Sequence, residues 1–367
     1  MEARHWRWSF GLAAVGALAL ATATSADAGK NTSAQSTYQQ INLVSDQPGQ
    51  AQVTDPNLVN AWGASFSPSS PLWVSDNGTD VTTLYEGGIH GGTQTVDSLV
   101  VTIPGGAPTG QAFNSTSEFV VHGSDGSSGA AVFLFVGESG HLSGWNPNVP
   151  AGSPPSTVAE NAVVTPGAVY KGLAIGSVNK GPRLYAADFS AGTVDVYDGS
   201  FRRVITPGNF EDGQLPAGYG PFNVAVLGGK VYVAYAKQDS EKVDEVAGPG
   251  LGRVDVFTLN GKLLARMPDS SALNAPWGLT IAPTGFGTFS GDLLVGNFGN
   301  GRIDVYNPSD LTMLGMIRDA QHMPIKIDGL WALLPGNGRE AGTDEVIFTA
   351  GPGDEAHGLL GTLSVTG

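Results

Sequence analysis

The chain has no cysteine in its 367 residues. That excludes a disulfide framework, a thiolate zinc site and a cysteine nucleophile. A chain of this length buries enough surface to hold together without crosslinks. Charge is also scarce, at 14% of residues, and positive charge is the scarcer sign: 18 Lys and Arg face 33 Asp and Glu, for a net charge of -15 and a pI near 4.6. An acidic surface disfavours nucleic acid and anionic lipid, which are polyanions. Cations, neutral ligands and proteins are left as partners, and the same charge serves the solubility of an exported protein. Helix signals are nearly missing beyond the N-terminus, where no capped i, i+3, i+4, i+7 stripe is found. Beyond the N-terminal segment no apolar run approaches the roughly 20 residues of a membrane span.

That N-terminal segment reads as an export signal. Arg4 and Arg7 form a positive start, residues 10–21 an apolar stretch, and Ala26-Asp27-Ala28 puts small residues before Gly29. Cleavage is expected after Ala28, with Ala26 as a nearby alternative; an uncleaved anchor is the competing reading. The expected organisation is a signal peptide over 1–28, a disordered leader over 29–37 and a single domain over 38–367. The mature protein is then secreted or periplasmic, has no membrane span and acts as a monomer.

What the chain has in abundance is glycine, 53 residues, with 23 prolines, spread between alternating apolar segments as turns are. A phrase also recurs. Its clearest copy runs Ala275-Pro276-Trp277-Gly278-Leu279, then Leu293-Leu294-Val295-Gly296-Asn297, then Gly301-Arg302-Ile303-Asp304-Val305-Tyr306: three successive strands. Taking the aromatic-or-Gly position of the first strand as a marker, copies fall at Trp62, Phe113, Gly172, Phe222, Trp277 and Trp331, which differ by 51, 59, 50, 55 and 54. A period near 50 with several strands per unit predicts an all-β, six-bladed β-propeller. In the second copy, strands are expected over 118–121, 131–138 and 142–145. Blade six runs out of chain at its third strand, and the orphan strand at 38–44 is expected to close the ring as its fourth, removing an open edge. Glycine after the marker aromatic leaves room where inner strands crowd the axis. Trp145 fits the repeat least well and is expected at the surface.

The pattern resembles the NHL and SMP-30-like six-bladed propellers. More closely it is similar to an uncharacterised family of exported bacterial proteins, some with a PEP-CTERM sorting tail that Leu363-Ser364-Val365-Thr366-Gly367 does not match. The residues that carry the resemblance are Asn42-Leu43-Val44-Ser45-Asp46, Asp55-Pro56-Asn57-Leu58-Val59-Asn60-Ala61-Trp62-Gly63, Asn274-Ala275-Pro276-Trp277-Gly278-Leu279 and Ile327-Asp328-Gly329-Leu330-Trp331-Ala332-Leu333. It implies the fold and an exported location, but no activity.

In such a ring the starts of the inner strands and the ends of the second strands share one end of the channel with the loops that carry function. Inner-strand starts offer Asn60, Asn114, Lys171, Asn223, Asn274 and Asp328; second-strand ends offer Asp76, Glu138, Asp188, Lys237 and Asn297. Asn60, Asp76, Lys171, Asp188, Asn223, Asn274, Asn297 and Asp328 are therefore the candidate ligand-binding residues. The oxygens of Asp76, Glu138, Asp188, Asn223, Asn274 and Asn297 suit Ca²⁺ or another divalent cation, which takes about six to eight; the same residue types equally cap turns. SMP-30-like lactonases hold a divalent metal in this region, but their local motifs are not present, so the resemblance assigns no individual ligand. His141, His322 and His357 lie in loops as candidate acid–base groups; surface placement is their plainer reading. Residues 237–251, acidic through Asp239, Glu241, Asp244 and Glu245, and residues 351–358 are long excursions suited to lids or partner contacts. The expected function is a ligand- or protein-binding propeller working through its loop face, the alternative a metal-dependent lactonase-like hydrolase or lyase.

Overall fold

Alternating apolar residues with β-branched and aromatic enrichment make short strands, and Gly, Asn and Asp turns fold them into antiparallel sheets. In the computed structural model, which describes residues 35–152 and 154–366, these sheets are six blades of a β-propeller. Three short 3-10 turns are the only helical elements among the described residues, and no helix there is long and apolar enough to cross a membrane. The expected signal peptide and most of the expected leader lie outside the described residues. Ser36 and Thr37, placed by sequence in that leader, already bond to the propeller: Ser36 N–H donates to Thr288 Oγ1 at 3.1 Å, and Thr37 O accepts from Thr366 N–H at 2.9 Å.

The inner strands are Ala61–Ser65, Pro108–Phe113, Tyr170–Val178, Tyr219–Leu227, Pro276–Ile281 and Leu330–Pro335. Each is the axial edge of its sheet. The ring closes as expected. Tyr38–Ser45 pairs antiparallel with Leu359–Val365 and becomes the fourth strand of the sixth blade. Tyr38 locks it, packed at a tilt on Phe286 with centroids 4.7 Å apart and donating its hydroxyl to Phe286 O at 3.1 Å.

The register differs from the sequence reading in blade two. Its inner strand is Pro108–Phe113; residues 114–132 then insert a hairpin of Val120–His122 with Ser128–Ala130, and the second strand is Phe133–Gly137. Phe113 and Asn114 thus sit at the far end of the inner strand, and Asn114 caps the insertion by donating to Glu118 O and Ala131 O. Close approaches between blades give the true level. A Cβ on Gly63 would lie 2.3 Å from Thr109 O, one on Gly110 2.2 Å from Leu173 N, and one on Gly172 2.2 Å from Asn223 Oδ1. These glycines therefore permit the crowding at the axis.

The residues at the aromatic level are Trp62, Thr109, Lys171, Phe222, Trp277 and Trp331, spaced 47, 62, 51, 55 and 54. Two positions earlier the backbone enters the left-handed region in four blades, at Asn60, Ala107, Ala275 and Gly329. The marker of blade three is therefore Lys171, not Gly172: a lysine stands where four of the other five blades carry an aromatic. Asn223 lies one residue past its marker, and Asp328 lies before its strand, which begins at Leu330.

Trp62 and Trp331 stack at 3.8 Å, Phe298 stacks on Trp331 at 4.1 Å, and Trp277 meets Trp331 edge-on at 5.9 Å. This aromatic layer spans the axis. Each such pair adds about 0.5–1.5 kcal/mol beyond burial. Trp145 is buried rather than exposed: it packs on Trp73 at 4.6 Å and donates its indole N–H to Ser156 O at 2.8 Å.

Candidate functional site

Lys171 is 1% exposed. Its ammonium lies 5.2 Å from the centroid of Trp62 and 6.0 Å from that of Phe189, a cation–π seat above the aromatic layer. It donates to Glu138 Oε1, and to Asp244 Oδ1 at 3.3 Å. From there a chain of polar groups circles the mouth. Asn77 Nδ2 donates to Glu138 Oε2 at 3.1 Å; Asn60 Nδ2 donates to Asn77 Oδ1 at 3.1 Å and Glu355 Oε2 at 2.6 Å; Trp331 Nε1 donates to Asn60 Oδ1 at 2.8 Å.

Two of these carboxylates come from the long excursions. Residues 237–251 fold back through Glu245–Val246, paired with the end of Lys230–Gln238, and bring Asp244 and Glu245 to the axis. Residues 351–358 bring Glu355, whose backbone stands at a left-handed φ of 65°. Blades one, two, three, four and six thus meet at one end of the channel.

The electrostatics follow from one cation among Glu138, Asp244, Glu245 and Glu355. Desolvation pulls the Lys171 pKa down, but the charge and hydrogen bond of Glu138, with Glu245 and Asp244, outweigh it and hold it above the ordinary lysine value. Lys171 is charged and no nucleophile. Desolvation pushes Glu245 up to about 7, against the opposing pull of Lys171, and raises Glu355 as well. The mouth is acidic, and within it Glu245 stands near its midpoint at neutral pH.

The sequence candidates divide sharply. Asn60, Lys171 and Glu138 are in the mouth cluster. Two others anchor the excursions: Asn274 Oδ1 accepts Gly248 N–H at 2.6 Å, and Asp328 Oδ2 accepts Gly353 N–H at 2.9 Å. The rest spend their oxygens on the scaffold. Asp76, 0% exposed, accepts from Thr83 Oγ1 at 2.7 Å, and desolvation raises its pKa well above the usual carboxylate range. Asp188 Oδ1 caps Ala191 N–H at 3.0 Å and Val169 N–H at 3.3 Å. Asn223 Nδ2 donates to Trp277 O at 2.7 Å, and Asn297 Oδ1 accepts Asn274 N–H at 2.8 Å. Lys237 reaches outward to Ala217 O.

The six proposed metal oxygens therefore do not converge, and among the described residues no three His, Asp or Glu side chains come together in a metal-holding group. The physical reason is that strand-end Asn and Asp meet unpaired backbone N–H groups first, while Glu138 is taken by the lysine. The histidines stay outside the mouth. His141 pairs with Asn161, His357 Nδ1 with Asp46 at 2.8 Å, and exposed His322 sits in a turn.

Asn77 and Glu355 were not singled out by sequence, and Asp244 and Glu245 only as part of the acidic excursion over 237–251. A lysine at an aromatic register position, together with acidic excursions from facing blades, is the signal that leads to them.

No protein-family model matches the chain. The solved virginiamycin B lyase of Staphylococcus aureus overlays 90% of this chain and 99% of its own at a TM-score of 0.47 and 11% identity. The uncharacterized protein R648 of Acanthamoeba polyphaga mimivirus is 32% identical over 330 residues, 88% of this chain and 78% of its own length. Protein L690 of the same virus, also uncharacterized, is 32% identical over 329 residues, 88% of this chain and 84% of its own. The resemblance read from sequence pointed to exported bacterial proteins, whereas these relatives are viral. The chain belongs to the family of the uncharacterized mimivirus proteins R648 and L690.

Proposed function

We propose that the protein is an exported binding propeller that receives a cationic group, an amine or a Lys or Arg side chain of a partner protein, at the acidic mouth of its channel. The observation that carries this reading is the meeting of both excursions over the axis, which puts Asp244, Glu245 and Glu355 around a single buried cation. A carboxyl held near pH 7 by desolvation ionises when a second positive charge arrives, so binding releases a proton and strengthens as pH rises from about 6 to 8. Asp244, with 69% of its side chain exposed, is the first group an incoming cation meets.

Calorimetric titration with N-acetyl-lysine methylamide tests this, with N-acetyl-norleucine methylamide as the uncharged control. The lysine probe is expected to bind at least about tenfold more tightly, as a charge-assisted hydrogen bond predicts, and Asp244→Asn and Glu355→Gln to erase most of the difference. Equal affinities for the two probes would overturn it. Export is part of the same reading, supported by the N-terminal signal pattern; N-terminal sequencing of the mature protein should start at Gly29, and an intact Met1 would refute it.

A second reading is a hydrolase or lyase, favoured by Glu245, a carboxyl near pH 7 beside the ammonium of Lys171 and so matched to proton transfer at neutral pH. It requires turnover of a lactone or ester that Glu245→Gln abolishes.

A further inference from the structure

A groove of about 700 Å³ lies where blades three and four meet. Its walls are the turn after Tyr170–Val178, the turn after Tyr219–Leu227, the turn after Gly252–Thr258 and residues 204–207. The inner strands begin at the acidic mouth, so these turns lie at the opposite end of the ring. The charge of the groove is unlike that of the chain. The chain carries -15 overall, yet the charged side chains lining this groove are Lys180 and Arg183, with no carboxylate. Neither forms an ion pair among the described residues, and the Arg183 guanidinium donates to Pro182 O at 3.0 Å. Asp198 stands opposite Arg183 on the adjacent strand, but it spends Oδ1 on the N–H groups of Ser200 and Arg202. Two more cations border the groove. Lys230 follows the lining residue Gly229, and Lys262 closes the neighbouring turn by accepting Thr258 N–H at 2.9 Å.

The neutral lining is rich in unused donors. Thr206 is 7% exposed, and its hydroxyl has no hydrogen-bond partner among the described residues. It is not one of the sealed, unpaired oxygens of the core; it keeps access to the groove that its residue lines. A Cβ on Gly261 would come 2.9 Å from it, which sets the hydroxyl beside the turn that carries Asn260. Ser177, Asn179 and Asn260 line the same groove, with side chains that make no hydrogen bond among the described residues. A hydroxyl buried this far is costly unless something answers it.

We propose that this groove is a second binding site, for a small molecule held through a phosphate or sulfate monoester group. The terminal oxygens of the ester accept from the guanidinium fork of Arg183, the ammonium of Lys180 and the neutral donors Thr206 and Asn260. Such an ester offers one more terminal oxygen to these donors than a carboxylate does. The carbon skeleton lies on Val204, Pro207 and Leu259 of the same lining.

The test is calorimetric titration of the full chain at low ionic strength with phenyl phosphate, phenyl sulfate, benzoate and phenol. The expected result is one-to-one binding of an ester, about tenfold tighter than benzoate, and no binding of phenol. The two esters are told apart by pH. A phosphate ester loses its second charge below about pH 6, whereas a sulfate ester keeps its single charge. Tighter binding of phenyl phosphate at about pH 7.5 that fades by about pH 5 assigns the groove to phosphate esters; equal or tighter binding of phenyl sulfate at both assigns it to sulfate esters. Arg183→Gln should weaken binding by about tenfold and Thr206→Val by about threefold, with the melting temperature unchanged. Lys326→Gln makes the same charge change at an exposed lysine leading into blade six and should leave binding as it was. No binding of either ester, benzoate binding as tightly as the esters, or an equal loss from Lys326→Gln and Arg183→Gln would each overturn the proposal.

Discussion

Replacing Lys171 with methionine is expected to destabilise the protein by about 3–5 kcal/mol at pH 7.5, the usual cost of removing one partner from a buried charge cluster. Methionine keeps the apolar stem over Trp62 and Phe189, so the loss comes from charge rather than volume. With the ammonium gone, Glu138, Asp244, Glu245 and Glu355 face one another without a cation in a desolvated mouth. The cost should therefore shrink at pH 4.5, where Glu245 and Glu355, raised by desolvation, take up protons. Urea denaturation of both proteins at the two pH values measures it. A penalty of equal size at both would show that Lys171 acts through packing.

Wild-type stability is expected to fall as pH rises from about 5 to 8. Desolvation is the leading cause of four upward shifts: Glu245 to about 7, Asp255 to about 7, Glu340 to about 7 and Asp304 to about 6. Each carboxyl has a folded pKa above its unfolded value of about 4. In that window the native state binds more protons than the unfolded chain, so the stabilisation is complete below about pH 4 and lost as pH climbs through about 6 to 7. Groups shifted the other way, such as Asp212 held down by its hydrogen bond to Arg266, lose their contribution only below about pH 4. The optimum should therefore lie near pH 5, with the melting temperature at pH 8 lower by about 5 °C or more. Scanning calorimetry across the range checks this; a flat or rising profile would mean that these carboxyls are solvated.

How far the sequence could be read depends on how local each signal is. The strand pattern of blades three to five is carried by residues within a few positions of one another, and it places strands such as Leu293–Asn297 and Ile303–Tyr306 directly. Closure by Tyr38–Ser45 also follows from counting, because a sixth blade lacking its fourth strand and a spare strand at the other terminus have one economical solution. Blade two misled because the hairpin of Val120–His122 and Ser128–Ala130 has the same alternation as a blade strand; only the contact of Gly110 with Gly172 and Leu173 shows which segment faces the axis.

The site divides in the same way. That Asn60 and Lys171 stand at the channel mouth follows from the repeat itself, since every inner strand starts at the same end. That Asp76, Asp188, Asn223 and Asn297 turn to the scaffold could not be read from any one strand, because their partners mix near groups, such as Thr83 Oγ1 and Ala191 N–H, with distant ones, such as Trp277 O and Asn274 N–H. Nor could the fold-back of residues 237–251 and 351–358 be read, pinned as they are by Asn274 on Gly248 N–H and Asp328 on Gly353 N–H.

Taken alone, the sequence determined an all-β ring of repeated blades, because periodicity and turn chemistry are properties of neighbouring residues. Tertiary structure alone decided which acidic groups surround Lys171 and that a layer of tryptophan and phenylalanine spans the axis. Convergence on an axis depends on how blades pack against one another, and no local pattern encodes it.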